Sequence, residues 1–130
     1  MSKRVLCLFF IIVFIFPVYA QENKELQEYF LEAEYFLMNE DYSDALTYYL
    51  QLYEKLPDNA NLAYCIGVCY LNTPTKKNLS VNYLETASKN MSAKHKEGSI
   101  NQTAAPYDAL FELGNAYRIN NDLEKARETY

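Results

Sequence analysis

Few side chains in this chain could do chemistry. His95 is the only histidine, and it lies between Lys94 and Lys96 in an aperiodic stretch. With no second histidine the usual metal constellations are missing, and no hydrolase set is apparent around it. A loop histidine among lysines is expected to be solvated. Cys65 and Cys69 are four residues apart, one turn on a helix. Both Cβ vectors then point the same way along the axis, a strained geometry for a bridge. Packing as two small apolar residues is the expected role, with a disulfide as the alternative if the compartment is oxidising. Glu28, Glu32, Glu34, Glu40 and Glu54 fall at helix-surface spacing, which suits a solvated face better than a general acid–base pair. No glycine-rich phosphate loop is present. Asn78, Asn90 and Asn101 open Asn-x-Ser/Thr triplets, read here as chance glycan-acceptor matches. No catalytic residue, metal ligand or cofactor is expected, and an enzyme is not the expected reading.

The elements that carry these residues are helical. Half of the residues are hydrophobic, Tyr is abundant at 13, and Gly is scarce at 3. That balance argues against disorder and against a turn-rich β chain. Apolar residues at i, i+3/4 and i+7 predict a helix over Glu25–Met38, with Leu26, Tyr29, Phe30, Ala33, Phe36 and Leu37 in one stripe. Asp41 is expected to cap a second helix carrying Tyr42, Ala45, Tyr49, Leu52 and Leu56. Asp58 or Asn59 caps a third, over Asn61–Leu71. Thr75 caps a fourth, over Lys76–Lys89, with Val81, Leu84 and Ala87 inward. Residues 90–106 lose periodicity and read as an extended loop or short linker. A fifth helix spans Tyr107–Ile119 with Leu110, Leu113, Gly114 and Tyr117, and a sixth begins at Leu123.

The first 20 residues read as a removed signal peptide: Lys3 and Arg4, an apolar run Val5–Phe16 broken by Pro17, then Val18-Tyr19-Ala20 before Gln21. The run is shorter than the roughly 20 residues a membrane span needs. Cys7 lacks a lipoprotein context. Losing Lys3 and Arg4, and no acid, takes the net charge from −5 to −7. An acidic chain is a poor partner for nucleic acid or anionic lipid.

Three helix–turn–helix units in succession indicate internal repetition. Each resembles a tetratricopeptide repeat, a unit of about 34 residues. In the first, from Leu26, Ala33 and Ala45 take the small positions, Phe36 and Tyr49 the aromatic ones, and Pro57 the closing Pro. The second starts at Ala60 with Ile66-Gly67 and Tyr70; its turn, Leu71 to Leu79, is longer by one residue, a shift that brings Ser80, Leu84 and Ala87 into register. The third starts at Tyr107 with Leu110, Leu113-Gly114, Tyr117, Ala126 and Tyr130. Gly67 and Gly114 lack a Cβ, so a partner helix can approach closely. The resemblance implies an all-α, right-handed superhelical array over 21–130, with repeats at about 26–59, 60–90 and 107–130 and a loop over 91–106. The third repeat stops mid-helix, so the chain is read as the N-terminal part of a longer protein, with an unpaired face of Leu123, Ala126 and Tyr130. The order of leader and repeats also resembles Gram-negative envelope proteins, in which a β-propeller and an OmpA-type peptidoglycan-binding domain follow.

The resemblance also implies a concave groove lined by the first helix of each repeat. Its candidate partner-binding residues are Phe30, Glu34 and Leu37, then Tyr64 and Val68, then Phe111, Asn115 and Arg118. Phe30, Tyr64 and Phe111 recur at one repeat position, and either dock a peptide or pack between hairpins. The cationic partners of a carboxylate clamp are missing. The expected function is an exported scaffold that binds a protein or peptide segment, in the periplasm or at the outer membrane, with no membrane insertion after signal removal and a place in envelope assembly. The alternative is a structural spacer in a larger envelope protein.

Overall fold

The computed structural model describes the backbone of residues 3–130 and the side chains from Tyr19 onward. The described chain is all-helical. In order it forms α1 (Lys3–Met38), α2 (Tyr42–Lys55), α3 (Ala60–Asn72), a single 3-10 turn (Lys77–Leu79), α4 (Ser80–Ser88), α5 (Asp108–Ile119) and α6 (Leu123–Thr129). Consecutive helices pack on each other, and α3 also reaches α5. Among the described residues no helix is long and apolar enough to cross a membrane.

α1 begins well before the expected Glu25 and runs through Pro17 without ending there. Proline removes one N–H from the ladder, and here it interrupts a rung rather than the helix. The apolar run of the leader lies outside the described side chains. Residues 19–25 are exposed throughout, and burial begins at Leu26, where the first repeat was expected to start.

The two outer hairpins turn in the same way. Asp41 N–H donates to Phe36 O at 2.9 Å and Glu40 N–H to Leu37 O at 3.0 Å; Asp122 N–H donates to Tyr117 O at 2.9 Å and Asn121 N–H to Arg118 O at 3.1 Å. Glu40 and Asn121 are left-handed, at φ 60° and 64°. This is the Schellman end of a helix, which satisfies carbonyls the last turn would otherwise leave open. Asp41 and Asp122 then start the next helix. Asp122 accepts from Lys125 N–H at 3.3 Å, but Asp41 makes no side-chain cap bond, contrary to expectation. Asn59 does cap α3, accepting from Leu62 N–H at 3.0 Å.

The middle hairpin departs from the other two. Thr75 caps nothing; Lys76, left-handed at φ 64°, precedes the 3-10 turn. The fourth helix therefore starts at Ser80 rather than Lys76, and the extra turn residue is absorbed before it. Ser80, not Val81, is fully buried with Leu84 and Ala87. α3 is the central helix. It carries no charged residue, and nearly its whole circumference is buried, because α2, α4 and α5 all pack on it.

Gly67 shows why the register matters. A Cβ there would lie 2.5 Å from Leu84 Cγ, and a Cβ at Gly114 would lie 2.6 Å from the Tyr130 ring. Each glycine lets a large residue of the following helix sit against the backbone. The expected unpaired face of Leu123, Ala126 and Tyr130 holds only at Leu123, which is exposed; Ala126 is buried against α5, and Tyr130, just past α6, lies over Gly114 and beside Phe111 although it is 61 % exposed.

Candidate functional site

α1 and α3 flank a cleft beneath the loop between α4 and α5. That loop is not the extended stretch its lost periodicity suggested. Ser92 N–H donates to Ala105 O and Ala105 N–H to Asn90 O, both at 2.9 Å, so its two ends are pinned together. Residues 92–105 form an Ω-loop, compact with closed ends. Because the base is closed, α4 and α5 pack as though joined by a short turn. The loop folds back onto α1 at Gln27 and onto the start of α3. Ile100 enters the main core at 5 % exposure. Gln27, Asn59 and Asn61 hydrogen-bond its backbone.

His95 is half-buried and bonded, not simply solvated: its Nε2 lies 2.8 Å from Asn61 Oδ1. The folded loop brings the imidazole to α3, a contact that neighbouring lysines in sequence cannot reveal. Between α1, α3 and the loop lies a cleft of about 270 Å³, lined by Glu34 and Leu37 of α1, Tyr64 of α3, His95 and Glu97 of the loop, and Asp108 of α5.

The structure brings together only part of the expected groove set. Glu34, Leu37 and Tyr64 line this cleft. Phe30 also reaches it but is 1 % exposed. Its ring packs edge-on against Tyr49, centroids 6.1 Å apart. Phe30 is therefore a core residue, because residues of α2, α3 and the loop, among them Tyr49, Cys65 and Ile100, share one buried cluster with it. Val68 is half-buried on α3. Phe111 is 59 % exposed on α5 and tilts against Tyr130 at 5.8 Å. Asn115 accepts from Tyr130 and donates to Glu112, and Arg118 is exposed. These four lie outside the cleft lining. Among the described residues, Phe30, Tyr64 and Phe111 form no ring pair with one another, so the recurring position is not a stacked ladder.

The polar chemistry beneath the cleft is buried and protonated. Tyr49 Oη donates to Glu34 Oε1 at 2.5 Å. Burial pushes the Tyr49 hydroxyl far above its ordinary range, with Cys65 and Glu34 adding to the effect. Burial likewise raises the Tyr64 hydroxyl and the Cys65 thiol, and lifts Cys69 to about 12, helped by the Glu34 carboxylate. Both thiols are free and buried, the packing role expected for them. A thiol held protonated is a poor nucleophile and a poor metal ligand. Among the described residues no group of three His, Cys, Asp or Glu side chains is placed to hold a metal ion.

Ile100, Asn59 and Thr103 were not recognised from sequence as parts of this site. The available signal was Ile100, one aliphatic residue inside a polar stretch. Comparison with family models, with curated proteins and with solved structures gives no match to this chain.

Proposed function

We propose that this chain is an exported, tetratricopeptide-like scaffold that docks a protein segment along the groove of α1, α3 and α5, and that it acts by binding rather than by catalysis. One observation carries the reading: the first and third hairpins are built alike where the repeat alignment says they should be. Both close with the same Schellman bonds. In both, a tyrosine on the second helix donates to a polar side chain fifteen residues earlier, Tyr49 to Glu34 and Tyr130 to Asn115. Stacked hairpins of this kind form a right-handed superhelix with a concave face, and such faces take extended segments of other proteins. Beneath the cleft, burial holds the Cys65 and Cys69 thiols protonated, which suits packing better than nucleophilic chemistry. The acids Glu34, Glu97 and Asp108 favour a partner segment carrying Lys or Arg.

The reading places the protein in the periplasm or at the outer membrane of a bacterial envelope, after removal of residues 1–20. N-terminal sequencing of the secreted product should begin at Gln21. For the groove, a photo-crosslinking residue is placed at Phe111 or, as a control, at Lys55 on α2. Cross-linked protein adducts at 111 and none at 55 support docking on the concave side. Equal yields at both positions would sink it and leave the chain a spacer.

A further inference from the structure

The Ω-loop is held on the helices as a bound peptide would be. The Gln27 amide donates from Nε2 to Gly98 O at 3.1 Å and accepts at Oε1 from Ile100 N–H at 3.0 Å. A primary amide that pairs with one carbonyl and with the N–H two residues on reads the edge of a backbone, as a neighbouring strand does. Asn59 Nδ2 donates to Ile100 O at 3.4 Å, and Asn61 N–H donates to Thr103 O at 3.2 Å. One side chain of this stretch, Ile100, is buried in the core; Lys94, Lys96, Glu97 and Asn101 are exposed. The contacts thus recognise a backbone, a single aliphatic anchor and the half-buried His95 ring, whose Nε2 lies 2.8 Å from Asn61 Oδ1, and leave the exposed side chains unread.

The loop is also separable from the fold. Its base is closed by the Ser92 and Ala105 bonds, so lifting residues 94–103 leaves the α4–α5 packing in place. Its shape is set partly from within: Gln102 N–H donates to Ser99 O at 3.0 Å, and the Gln102 amide bonds Lys96 N–H and Ala104 O. A segment anchored by one apolar side chain and a few backbone bonds belongs to the low-stability end of a structure.

We propose that Gln27, Asn59 and Asn61 form a peptide-binding site at the α1–α3 edge, specific for a turn-forming segment with one aliphatic anchor, and that residues 98–103 are its resident, displaceable occupant. A partner segment with the same backbone edge and anchor competes with the loop for the site. The site stands on the hydrogen bonds and the buried Ile100 and does not depend on the scaffold reading.

The test uses the full chain with residues 94–103 replaced by a short Gly-Ser linker, and a fluorescent synthetic peptide spanning residues 92–105. Saturable binding to the shortened chain, absent with the intact chain, is expected. Gln27→Ala in the protein, or Ile100→Asp in the peptide, should weaken it at least tenfold. No binding to a shortened chain that keeps its helical spectrum and cooperative melt overturns the proposal, as does equal binding of a scrambled peptide. If the shortened chain does not fold, the intact chain carrying Gln27→Ala decides. Amide exchange at Ile100 should then accelerate at least tenfold with helical amides unchanged; unchanged protection there overturns the proposal.

Discussion

The hydroxyl of Tyr49 donates to Glu34 Oε1 at 2.5 Å, joining α2 to α1 directly beneath the cleft. Tyr130 donates to Asn115 Oδ1 at 2.7 Å in the same places of the last hairpin. The two bonds differ in burial. Tyr49 is fully buried, whereas Tyr130 is 61 % exposed. Tyr49→Phe should therefore cost about 1–2 kcal/mol, the range for a lost bond that leaves a polar partner under-satisfied. Tyr130→Phe should cost less than about 0.5 kcal/mol, as exposed substitutions do. Urea unfolding of both variants measures the difference, and equal losses would remove burial as the explanation.

Gly67→Ala and Gly114→Ala separate a rigid contact from a yielding one. The new Cβ at 67 meets Leu84, which is wholly buried and cannot retreat. Overpacking of this kind costs about 1–3 kcal/mol. At 114 the Cβ meets the exposed Tyr130 ring, which can swing away, while alanine gains up to about 1 kcal/mol over glycine in helix propensity. Thermal melts should show a loss of roughly 4 °C or more for the first and a net change under about 1 kcal/mol for the second.

The aromatic positions should respond unequally to truncation. Phe30→Ala opens a cavity in the main core and should cost about 3–5 kcal/mol. Phe111→Ala should change stability by less than about 0.5 kcal/mol. Partner binding is therefore best probed with Phe111→Ala and Arg118→Ala, whose folding is expected to be intact. Binding unchanged in both would place any partner off the α5 part of the groove.

Burial lifts the Cys69 thiol from an ordinary 9.0 to about 12, and Cys65 and Tyr49 move in the same direction. The folded chain holds these protons more tightly than the unfolded chain. Their contribution to stability is complete below about pH 9 and is lost as pH rises through about 12. Unfolding free energy should be level up to pH 9 in this respect and fall between pH 9 and 12. At pH 8, iodoacetamide should leave Cys65 and Cys69 unmodified in the native chain and label both after unfolding, read by peptide mapping. Native labelling at the unfolded rate would contradict their burial.

The hairpins were legible in the sequence because their signal is local. The stripe Leu26, Phe30, Ala33 and Leu37 repeats at helical spacing, and Gly67 and Gly114 mark close approaches. The expected register of α4 on α3 is met at one contact, with Leu84 against Gly67. What a helix does with each face was less legible. Phe30 and Phe111 hold the same place in the expected alignment, yet one is core and the other open. Each ring meets the tyrosine of its own hairpin, Tyr49 at 6.1 Å and Tyr130 at 5.8 Å; Phe30 is also enclosed in one core with α3 and Ile100 of the folded loop, and among the described residues no such core holds Phe111.

The amino-acid sequence by itself determined the helical class, the places of the turns and the pairing of small against large residues, because periodicity and capping act within a few neighbouring residues. Only the tertiary structure decided the fate of residues 92–105. Their hydrogen-bonding partners Gln27, Asn59 and Asn61 lie 34 to 73 residues away in the chain, and no local pattern encodes a bond that exists only once α1 and α3 stand side by side. The polarity that marks a solvated linker also supplies a backbone and a histidine ready to be bound, and the three-dimensional packing is what distinguishes the two.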